Sequence, residues 1–321
     1  MDRKTIMLGV VGDSASGKTT LTKGLVQLLG EDRVTAICSD DYHRYNRKQR
    51  KEMGISALDP RCNYIDILEQ HFVLLRKGQP ILKPVYNHST GDFDPPEYVV
   101  PKEFVIVEGL LGFHTRIMRN CFDIKVYLDP PEPLRYEWKI KRDTSKRGYT
   151  REQVLEALEK RKHDSPMFIH PQRAMADLVV RFEPPENNTS EVGAHLNANL
   201  ALRPTVAHPD LSDVLEIAGS NGLQPPPLRM RLDRHEGKPV DILEVDGDIT
   251  EKKTLELKNI IWKHLLPEEG HEAPVNIGRY QFGDTPKQSY PLALTQMLIA
   301  YHMIQAREAM KKNERGRNVQ F

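Results

Sequence analysis

A nine-residue stretch, SDDYHRYNR at residues 39–47, contains two adjacent carboxylates, an imidazole and two arginines. A carboxylate can take the proton of a reacting hydroxyl group, and arginines bind phosphate groups well. Asp40 and Asp41 directly follow a predicted strand at 34–38, and open α/β sheets bind ligands beyond the carboxyl ends of their strands. The two side chains will not point the same way. We therefore expect one aspartate to do chemistry and the other to be structural.

A phosphate-binding loop lies nearer the N-terminus. The segment GDSASGKT fits G-x-x-x-x-G-K-[ST] and lies between a predicted buried strand and a predicted helix. In such a loop, backbone N–H groups and the helix N-terminus bind phosphate oxygens, the lysine neutralises charge and the hydroxyl binds Mg²⁺. The pattern predicts a nucleoside triphosphate site at Gly12, Asp13, Ser14, Ala15, Ser16, Gly17, Lys18, Thr19 and Thr20. By itself it does not distinguish a kinase, a GTPase and a motor.

A further carboxylate, Glu108, lies at the end of the apolar run FVIVEG at 104–109. A carboxylate at that strand end can hold the water shell of Mg²⁺ beside the phosphate loop, so Thr19 and Glu108 are the predicted metal residues. The alternative is an ordinary surface acid. No base-reading N-K-x-D motif of GTPases lies in a suitable place.

A basic cluster, KIKRDTSKRG, forms the third candidate region. On a helix, Lys139, Arg142 and Lys146 share one face. Such a face is often only solvated. Following the strand that carries Glu108 and preceding Gly148, it also suits a lid whose arginines stabilise charge on a transferred phosphoryl group.

The elements that must position these residues alternate between strands and helices. Apolar runs predict strands at 5–11, 34–38, 104–109, 122–129 and 177–184, and helical patterns occur at 18–30, 64–78, 132–146 and 150–163. This alternation predicts an α/β fold with a mostly parallel central sheet and helices on both faces.

After Pro185 the composition changes. Residues 186–227 are rich in Asn, Ser, Gly and Pro and are interpreted as a connection or insertion. From Leu228 onward strand patterns return, and helical patterns follow at 251–265 and 290–312. We predict that residues 228–321 complete the same domain as the core at 1–185. The apolar run at 290–304 is expected to pack in the core, with a dimer contact as the alternative.

Composition narrows the function classes. The chain of 321 residues has a formal net charge of +1, which gives no reason to expect nucleic acid or a membrane surface as a partner. Three cysteines without paired spacing argue against a disulfide framework and a structural zinc site. No apolar stretch reaches the roughly 18 residues of a membrane-spanning helix, and the N-terminal run is too short for a signal peptide. A cytoplasmic protein is predicted.

The loop at 39–47 resembles the acceptor loop of phosphoribulokinases. The segments ALDPRCNYID, KPVYNHSTGDFDPPE, VIVEGL and WKIKRDTSKRGYT are similar to that family in the same order. The resemblance is close over about residues 5–185, looser through ILEVDGDIT, and stronger to the plant and cyanobacterial type than to the shorter proteobacterial type. It implies a P-loop kinase fold, ATP and Mg²⁺ as cofactors, and phosphorylation of ribulose 5-phosphate at its C1 hydroxyl.

The resemblance also implies roles for individual residues. The wider family includes uridine kinases, and matching their Q-D-S-F-Y loop to residues 39–43 places the shared base on Asp40, with Asp41 as a cap or metal-shell neighbour. The substrate phosphate would be bound by His43, Arg47, Tyr86 and His88. The lid would act through Lys139, Arg142 and Arg147, oriented by Asp143.

Some positions depart from the family pattern. Light-regulated members carry a cysteine in the phosphate loop that pairs with one just before the acceptor aspartate. Here Ser16 occupies the first position and Cys38 the second, and no cysteine pair occurs near the C-terminus. Redox switching of the plant kind is therefore not expected, which fits an organism such as an archaeon. Leu111 replaces a usual histidine, which places part of the site in question.

Two other functions stay open. One is a uridine/cytidine kinase or another small-molecule kinase of the same fold. The other is a nucleotide-dependent regulator without catalysis, against which Lys18, Thr19, Asp40, Glu108 and Arg142 argue. A homodimer is expected.

Overall fold

The computed structural model describes residues 4–220, 222, 225–265, 274, 276–282 and 285–318. The strands are β1 (Ile6–Gly12), β2 (Val34–Cys38), β3 (Ile81–Asn87), β4 (Asp92–Val99), β5 (Phe104–Gly109), β6 (Ile124–Leu128), β7 (Leu178–Glu183), β8 (Asn197–Leu202), β9 (Leu228–His235), β10 (Lys238–Val245), β11 (Arg279–Phe282) and β12 (Thr285–Gln288). The helices are α1 (Lys18–Leu29), α2 (Arg47–Met53), α3 (Ile65–Arg76), α4 (Arg116–Cys121), α5 (Glu132–Lys146), α6 (Arg151–Lys160), α7 (Ser212–Gly219), α8 (Glu251–Leu265) and α9 (Tyr290–Asn318).

The chain divides into two compact units. The first comprises the described residues up to Lys18, residues 31–128 and residues 135–176. The second comprises residues 19–30, residues 129–134 and the described residues from Asp177 onward. The domain boundaries at 185 and 227 stay a prediction.

In the first unit, β1, β2, β5 and β6 form a parallel arrangement in the order β2-β5-β1-β6. The apolar residues of β1 and β5 are buried on both faces, as parallel strands covered by helices require, whereas Ala36 of the edge strand β2 is exposed. Glu108 in β5 is in register with Val10 of β1 and with Cys38 of β2. Three strands therefore end at one edge, which brings the phosphate loop, the acceptor loop and Glu108 together. The predicted α/β fold is confirmed.

A two-stranded ribbon of β3 and β4 also belongs to the first unit and was not predicted from the sequence. The strands pair antiparallel from Ile81 opposite Val99 to Asn87 opposite Asp92. Prolines and charges interrupt the alternation of apolar residues, and β4 is exposed along nearly its whole length. The pattern from which strands are usually recognised is therefore weak here.

In the second unit, β7, β8, β10 and β9 pair antiparallel in that order. The region at 186–227, interpreted from the sequence as a connection, contains β8 and α7. Residues 292–300 of α9 are buried, which confirms the predicted core packing of that run. Among the described residues, no helix combines the length and apolar character needed to cross a membrane.

Candidate active site

The phosphate loop adopts the backbone that its sequence predicts. Ala15 and Gly17 have positive φ values of 66° and 95°, a backbone conformation that favours glycine and that turns the chain tightly. A Cβ on Gly12 would lie 2.7 Å from the carbonyl oxygen of Leu128, so the close approach requires glycine. Lys18 Nζ donates to the carbonyl oxygens of Gly12 and Asp13, both at 2.8 Å. Its ammonium group is therefore held inside the loop.

Lys18 is buried among charged groups. Burial lowers its pKa, while the carboxylates of Asp40, Glu108 and Asp13 oppose that shift. The positive charge of Arg142 lowers it further. These electrostatic partners come from the phosphate loop, the 3-10 helix at 39–42, the end of β5 and α5, so the structure brings the predicted groups to one place.

Asp13, which the sequence suggested only as a loop residue, has a defined environment. Its Oδ1 accepts from the N–H of Ser14 at 2.7 Å, and its Oδ2 lies 3.6 Å from Arg135 Nη2 and 3.7 Å from His170 Nε2. Burial raises the pKa of Asp13, but His170, Arg135 and neighbouring donors outweigh it and lower the pKa to about 2. The carboxylate is therefore ionised and fixes the conformation of the loop.

Asp40 lies in a short 3-10 helix at Ser39–Tyr42 that follows β2. Its Oδ1 accepts from the N–H of Leu110 at 3.0 Å. A Cβ on Gly109 would lie 1.8 Å from Ser39 Oγ and 3.0 Å from Asp40 Oδ1, so glycine allows this close approach of the two loops. The carboxylate of Asp40 acts electrostatically on Lys18, His43 and His88. Its charge therefore acts on the phosphate loop through Lys18 and on two residues predicted to bind the acceptor, His43 and His88.

Asp41 turns the other way. Its Oδ2 accepts from Lys83 Nζ at 2.6 Å, and its Oδ1 accepts from the N–H of Tyr86 at 3.2 Å. Asp41 is therefore anchored to the β3–β4 ribbon. The expectation that one of the two aspartates is structural is confirmed, and its partner, Lys83, was not foreseen.

His43 is buried and contacts Asn63, a residue that sequence reasoning missed. His43 Nδ1 and Asn63 Oδ1 lie 2.7 Å apart, and the backbones of the two residues form an isolated antiparallel bridge. Burial lowers the pKa of His43 to about 4, although Asp40 opposes the shift. Near neutral pH the imidazole carries no charge, so it lacks the charge that the phosphate-binding prediction would favour.

The other predicted phosphate ligands lie on α2 and at the end of β3. Arg47 Nη2 donates to the carbonyl oxygen of His88 at 2.5 Å. Tyr86 is buried, its hydroxyl accepts from Arg50 Nη2 at 2.6 Å, and its ring packs edge-on against His43 and His88. The structure thus brings the four predicted residues together and adds Arg50, which the spacing of three from Arg47 on a helix could have revealed.

The basic cluster of α5 is organised by a buried carboxylate. Asp143 accepts from Lys139 Nζ at 3.0 Å and from Arg142 Nε at 2.8 Å, and it lies 3.4 Å from Arg147 Nη1. Arg142 Nη2 also donates to Ser14 Oγ in the phosphate loop at 3.3 Å. Burial lowers the pKa of Lys139 to about 8, with Asp143 opposing the shift. Asp143 therefore holds three cations in fixed relation to the phosphate loop.

The positive charges of Arg142 in this cluster and of Arg47 both act on Arg147. Burial lowers the pKa of Arg147, and the positive charges of Arg142 and Arg47 lower it further. Burial also lowers the pKa of His88, and Arg147 and Arg142 add to that shift. The site thus concentrates positive charge where an anion would stabilise it.

Another residue that sequence reasoning missed is Gln172. Its Nε2 donates to the carbonyl oxygen of Leu110 at 2.7 Å, and its Oε1 accepts from the N–H of Phe113 at 2.9 Å. Both groups belong to the loop after β5. The N–H of Leu110 in the same loop donates to the carboxylate of Asp40. Leu111, the departure from the family pattern, is buried in this loop.

The described residues contain no cluster of three or more His, Cys, Asp or Glu side chains that could hold a metal. Mg²⁺ in nucleotide sites is commonly bound by one or two protein oxygens together with phosphates. Glu108 at the end of β5 offers such an oxygen, and its charge reaches Lys18 of the phosphate loop. This donor fits Mg²⁺. Thr19 and Thr20 lie in α1 within the second unit, and their roles stay predictions, as does that of Glu108.

Comparisons with known proteins agree with this geometry. The phosphoribulokinase / uridine kinase family matches residues 7–190. The chain is 36% identical over 255 residues to a phosphoribulokinase of Synechocystis, covering 76% of this chain and 77% of that protein. It is 35% identical to a chloroplastic phosphoribulokinase of Arabidopsis thaliana over 59% of this chain and 53% of that protein, so it spans about half of that relative.

Two further similarities concern another activity and the fold. A uridine kinase of Listeria monocytogenes is 30% identical over 61% of this chain and 94% of that protein. A solved phosphoribulokinase from Rhodobacter spheroides has a TM-score of 0.55 at 19% identity, covering 80% of this chain and 95% of that one. That structure supports the fold alone. Given the matched residues and the relatives that cover most of it, the chain belongs to the phosphoribulokinase / uridine kinase family.

Proposed function

We propose that this protein is a kinase that transfers the γ-phosphoryl group of ATP to the C1 hydroxyl of ribulose 5-phosphate. The observation that carries the proposal is that a carboxylate and a group of arginines in the first unit act electrostatically on the same residue, His88. Asp40 acts electrostatically on both Lys18 and His88, while the charges of Arg142 and Arg147 act on His88 and the charge of Arg47 acts on Arg147. A carboxylate base beside concentrated arginines suits an acceptor that carries a phosphate of its own. The similarity to phosphoribulokinases supports that acceptor.

In this proposal Asp40 removes the proton of the acceptor hydroxyl as the hydroxyl oxygen attacks the γ-phosphorus, and the bond from that phosphorus to the bridging oxygen breaks so that ADP leaves. The hydrogen bond from the N–H of Leu110 leaves the second carboxylate oxygen of Asp40 for that proton. Lys18 stabilises charge on the nucleotide phosphates. Arg142 and Arg147, fixed by Asp143, stabilise charge on the transferred group.

Mg²⁺ would be held through Glu108 and Thr19, and when bound it neutralises charge on the nucleotide phosphates. Arg47, with His88 beside it, is the proposed ligand of the acceptor phosphate, and Tyr86 supports that pair through its ring contacts. The cytoplasmic location and the homodimer expected from the sequence belong to this proposal.

The test is ADP release from MgATP by the purified protein, with ribulose 5-phosphate and uridine compared as acceptors. Turnover with ribulose 5-phosphate and a bisphosphate product identified by mass supports the proposal. Turnover with uridine alone would replace it by a nucleoside kinase, the activity named for the Listeria relative. ATP binding without turnover on either acceptor would favour the regulatory alternative.

A further inference from the structure

The side-chain amide of Asn63 has a fixed orientation. Its Nδ2 donates to the carbonyl oxygen of Asp59 at 2.9 Å and to that of Ala57 at 3.3 Å. Carbonyl oxygens only accept hydrogen bonds, so the NH₂ group must face them. The carbonyl oxygen of the Asn63 side chain consequently faces His43.

This orientation decides the tautomer of His43. Because Asn63 Oδ1 is an acceptor 2.7 Å from His43 Nδ1, Nδ1 must carry the hydrogen. Burial keeps the imidazole neutral near pH 7, since it lowers the pKa of His43 to about 4. A neutral imidazole has one N–H group, so Nε2 is left with a lone pair. Among the described residues, no side chain or backbone group forms a hydrogen bond with Nε2 of His43.

The charged and titratable groups around His43 come from every element packed against it. Asp40 lies in the 3-10 helix that ends just before His43, and Arg50 lies on α2. Tyr86 lies in β3, and His88 directly follows that strand. Asp40 raises the pKa of His43, whereas Arg50 and His88 lower it. The residue thus shares the surroundings of the proposed base and cannot supply a positive charge there.

We propose that Asn63 is a positioning residue that presents Nε2 of His43 as a hydrogen-bond acceptor for a hydroxyl group of the acceptor substrate. A phosphate dianion offers only acceptor oxygens, and a lone pair repels it. A polyol chain offers hydroxyl donors. The pair His43–Asn63 therefore selects a polyhydroxylated acceptor, and phosphate binding falls to the arginines. This inference rests on the proposed function for the identity of the polyol, but not for the tautomer.

The tautomer can be observed without any activity. Nitrogen-15 NMR of histidine distinguishes Nδ1–H from Nε2–H and from imidazolium, and the His43 signals are assigned by their loss in His43→Gln. We expect Nδ1 protonated and Nε2 unprotonated between pH 6 and 8 in the wild-type protein. An Nε2–H tautomer, or an imidazolium in that range, overturns the proposal whether or not ribulose 5-phosphate is the substrate.

The acceptor role is tested with Asn63→Asp. A carboxylate still accepts from Nδ1–H but raises the proton affinity of His43, so the cationic form, which lacks the lone pair, becomes populated at lower pH. The ratio of variant to wild-type KM for ribulose 5-phosphate should rise as pH falls from 8 to 6, by up to about tenfold per pH unit once His43 is mostly protonated. Taking the ratio cancels the titration of the substrate phosphate, which occurs near about pH 6.

The other outcomes contradict the proposal. A ratio that falls at low pH would mean that cationic His43 binds the phosphate, and a ratio independent of pH would mean that Asn63 is only structural. If Asn63→Asp does not fold, His43→Gln and His43→Asn replace it. Glutamine can place a hydrogen-bond-accepting oxygen near the position of Nε2, whereas asparagine reaches only the position of Nδ1. The Gln variant should therefore bind ribulose 5-phosphate at least about tenfold more tightly than the Asn variant. Equal loss in both overturns the proposal.

Discussion

Asp41 and Lys83 form a buried ion pair, with Lys83 Nζ 2.6 Å from Asp41 Oδ2, and this pair ties the acceptor loop to the β3–β4 ribbon. The N–H of Tyr86 donates to the second oxygen of Asp41. The two adjacent aspartates thus have different hydrogen-bond partners. Each carboxylate oxygen of Asp41 accepts a hydrogen bond from the protein, whereas Asp40 accepts one from a backbone N–H among the described residues.

Asp40→Asn should lower kcat by about 10²- to 10⁴-fold, because the amide cannot take the proton of the acceptor hydroxyl. ATP affinity, measured by calorimetry, should change little, since Asp40 does not contact the nucleotide in the proposed mechanism. The exposed Glu156, changed to Gln, is the control and should leave both quantities unchanged. If Asp41→Asn lowers kcat more than Asp40→Asn, the roles assigned to the pair are wrong.

Asp41→Asn should instead destabilise the fold by about 3 kcal/mol, because the buried ammonium group of Lys83 loses its buried carboxylate and keeps only the exposed Glu97. Urea denaturation measures this. The double variant Asp41→Asn/Lys83→Met should lose less than the sum of the two single losses, since it removes both charges together. Glu97, an exposed neighbour 3.6 Å from Lys83, serves as the control when changed to Gln. Additive losses would show that the two residues do not stabilise each other.

Asp143→Asn should lower kcat on the order of 10- to 100-fold, because Lys139, Arg142 and Arg147 lose the charge that fixes them and repel one another. The KM for ATP should change less than kcat if these cations act mainly on the transferred group. Steady-state kinetics with both substrates varied gives the two numbers. A large rise in the KM for ATP at constant kcat would move the cluster from catalysis to nucleotide binding.

The stability of the protein should fall as pH decreases from about 6.5 to about 4, in part because of His302 on α9. Burial lowers the pKa of His302 from 6.5 to about 4, and the charge of His208 lowers it further. The hydrogen bond to the carbonyl oxygen of Leu298 and the charge of Asp177 oppose this shift. In that window the unfolded chain binds the proton and the folded chain does not, so unfolding is favoured as the pH falls. The contribution of His302 reaches about 3 kcal/mol at the lower end.

Urea denaturation at several pH values checks this, with His302→Gln as the variant. The slope of the free energy of unfolding against pH should be smaller in the variant between pH 6.5 and 4. His264, which is partly exposed and lies 2.8 Å from Asp213, provides the control when changed to Gln. An unchanged slope in His302→Gln would mean that His302 takes up its proton in the folded protein.

The sequence by itself determined the parallel strands of the first unit, the phosphate loop and the residue types of the site. Continuous apolar runs such as that of β1 specify buried strands whatever surrounds them, and the glycine and lysine spacing of the loop is a local property of the chain. The order of similar segments also indicated the family. These features depend on residues that are neighbours in the chain, so one sequence is enough to recognise them.

Only the tertiary structure decided which aspartate is anchored to a lysine and which side chain lies against the imidazole of His43. Lys83 lies 42 residues from Asp41, and Asn63 lies 20 residues from His43. Neither pairing has a periodic signal, because each arises where separate segments pack together. The β3–β4 ribbon, β8 and α7 were missed for the same reason: their stabilising contacts are distant in the chain. The types of the candidate site residues are therefore set locally, while their ionisation and direction depend on burial and on partners that only the fold brings near.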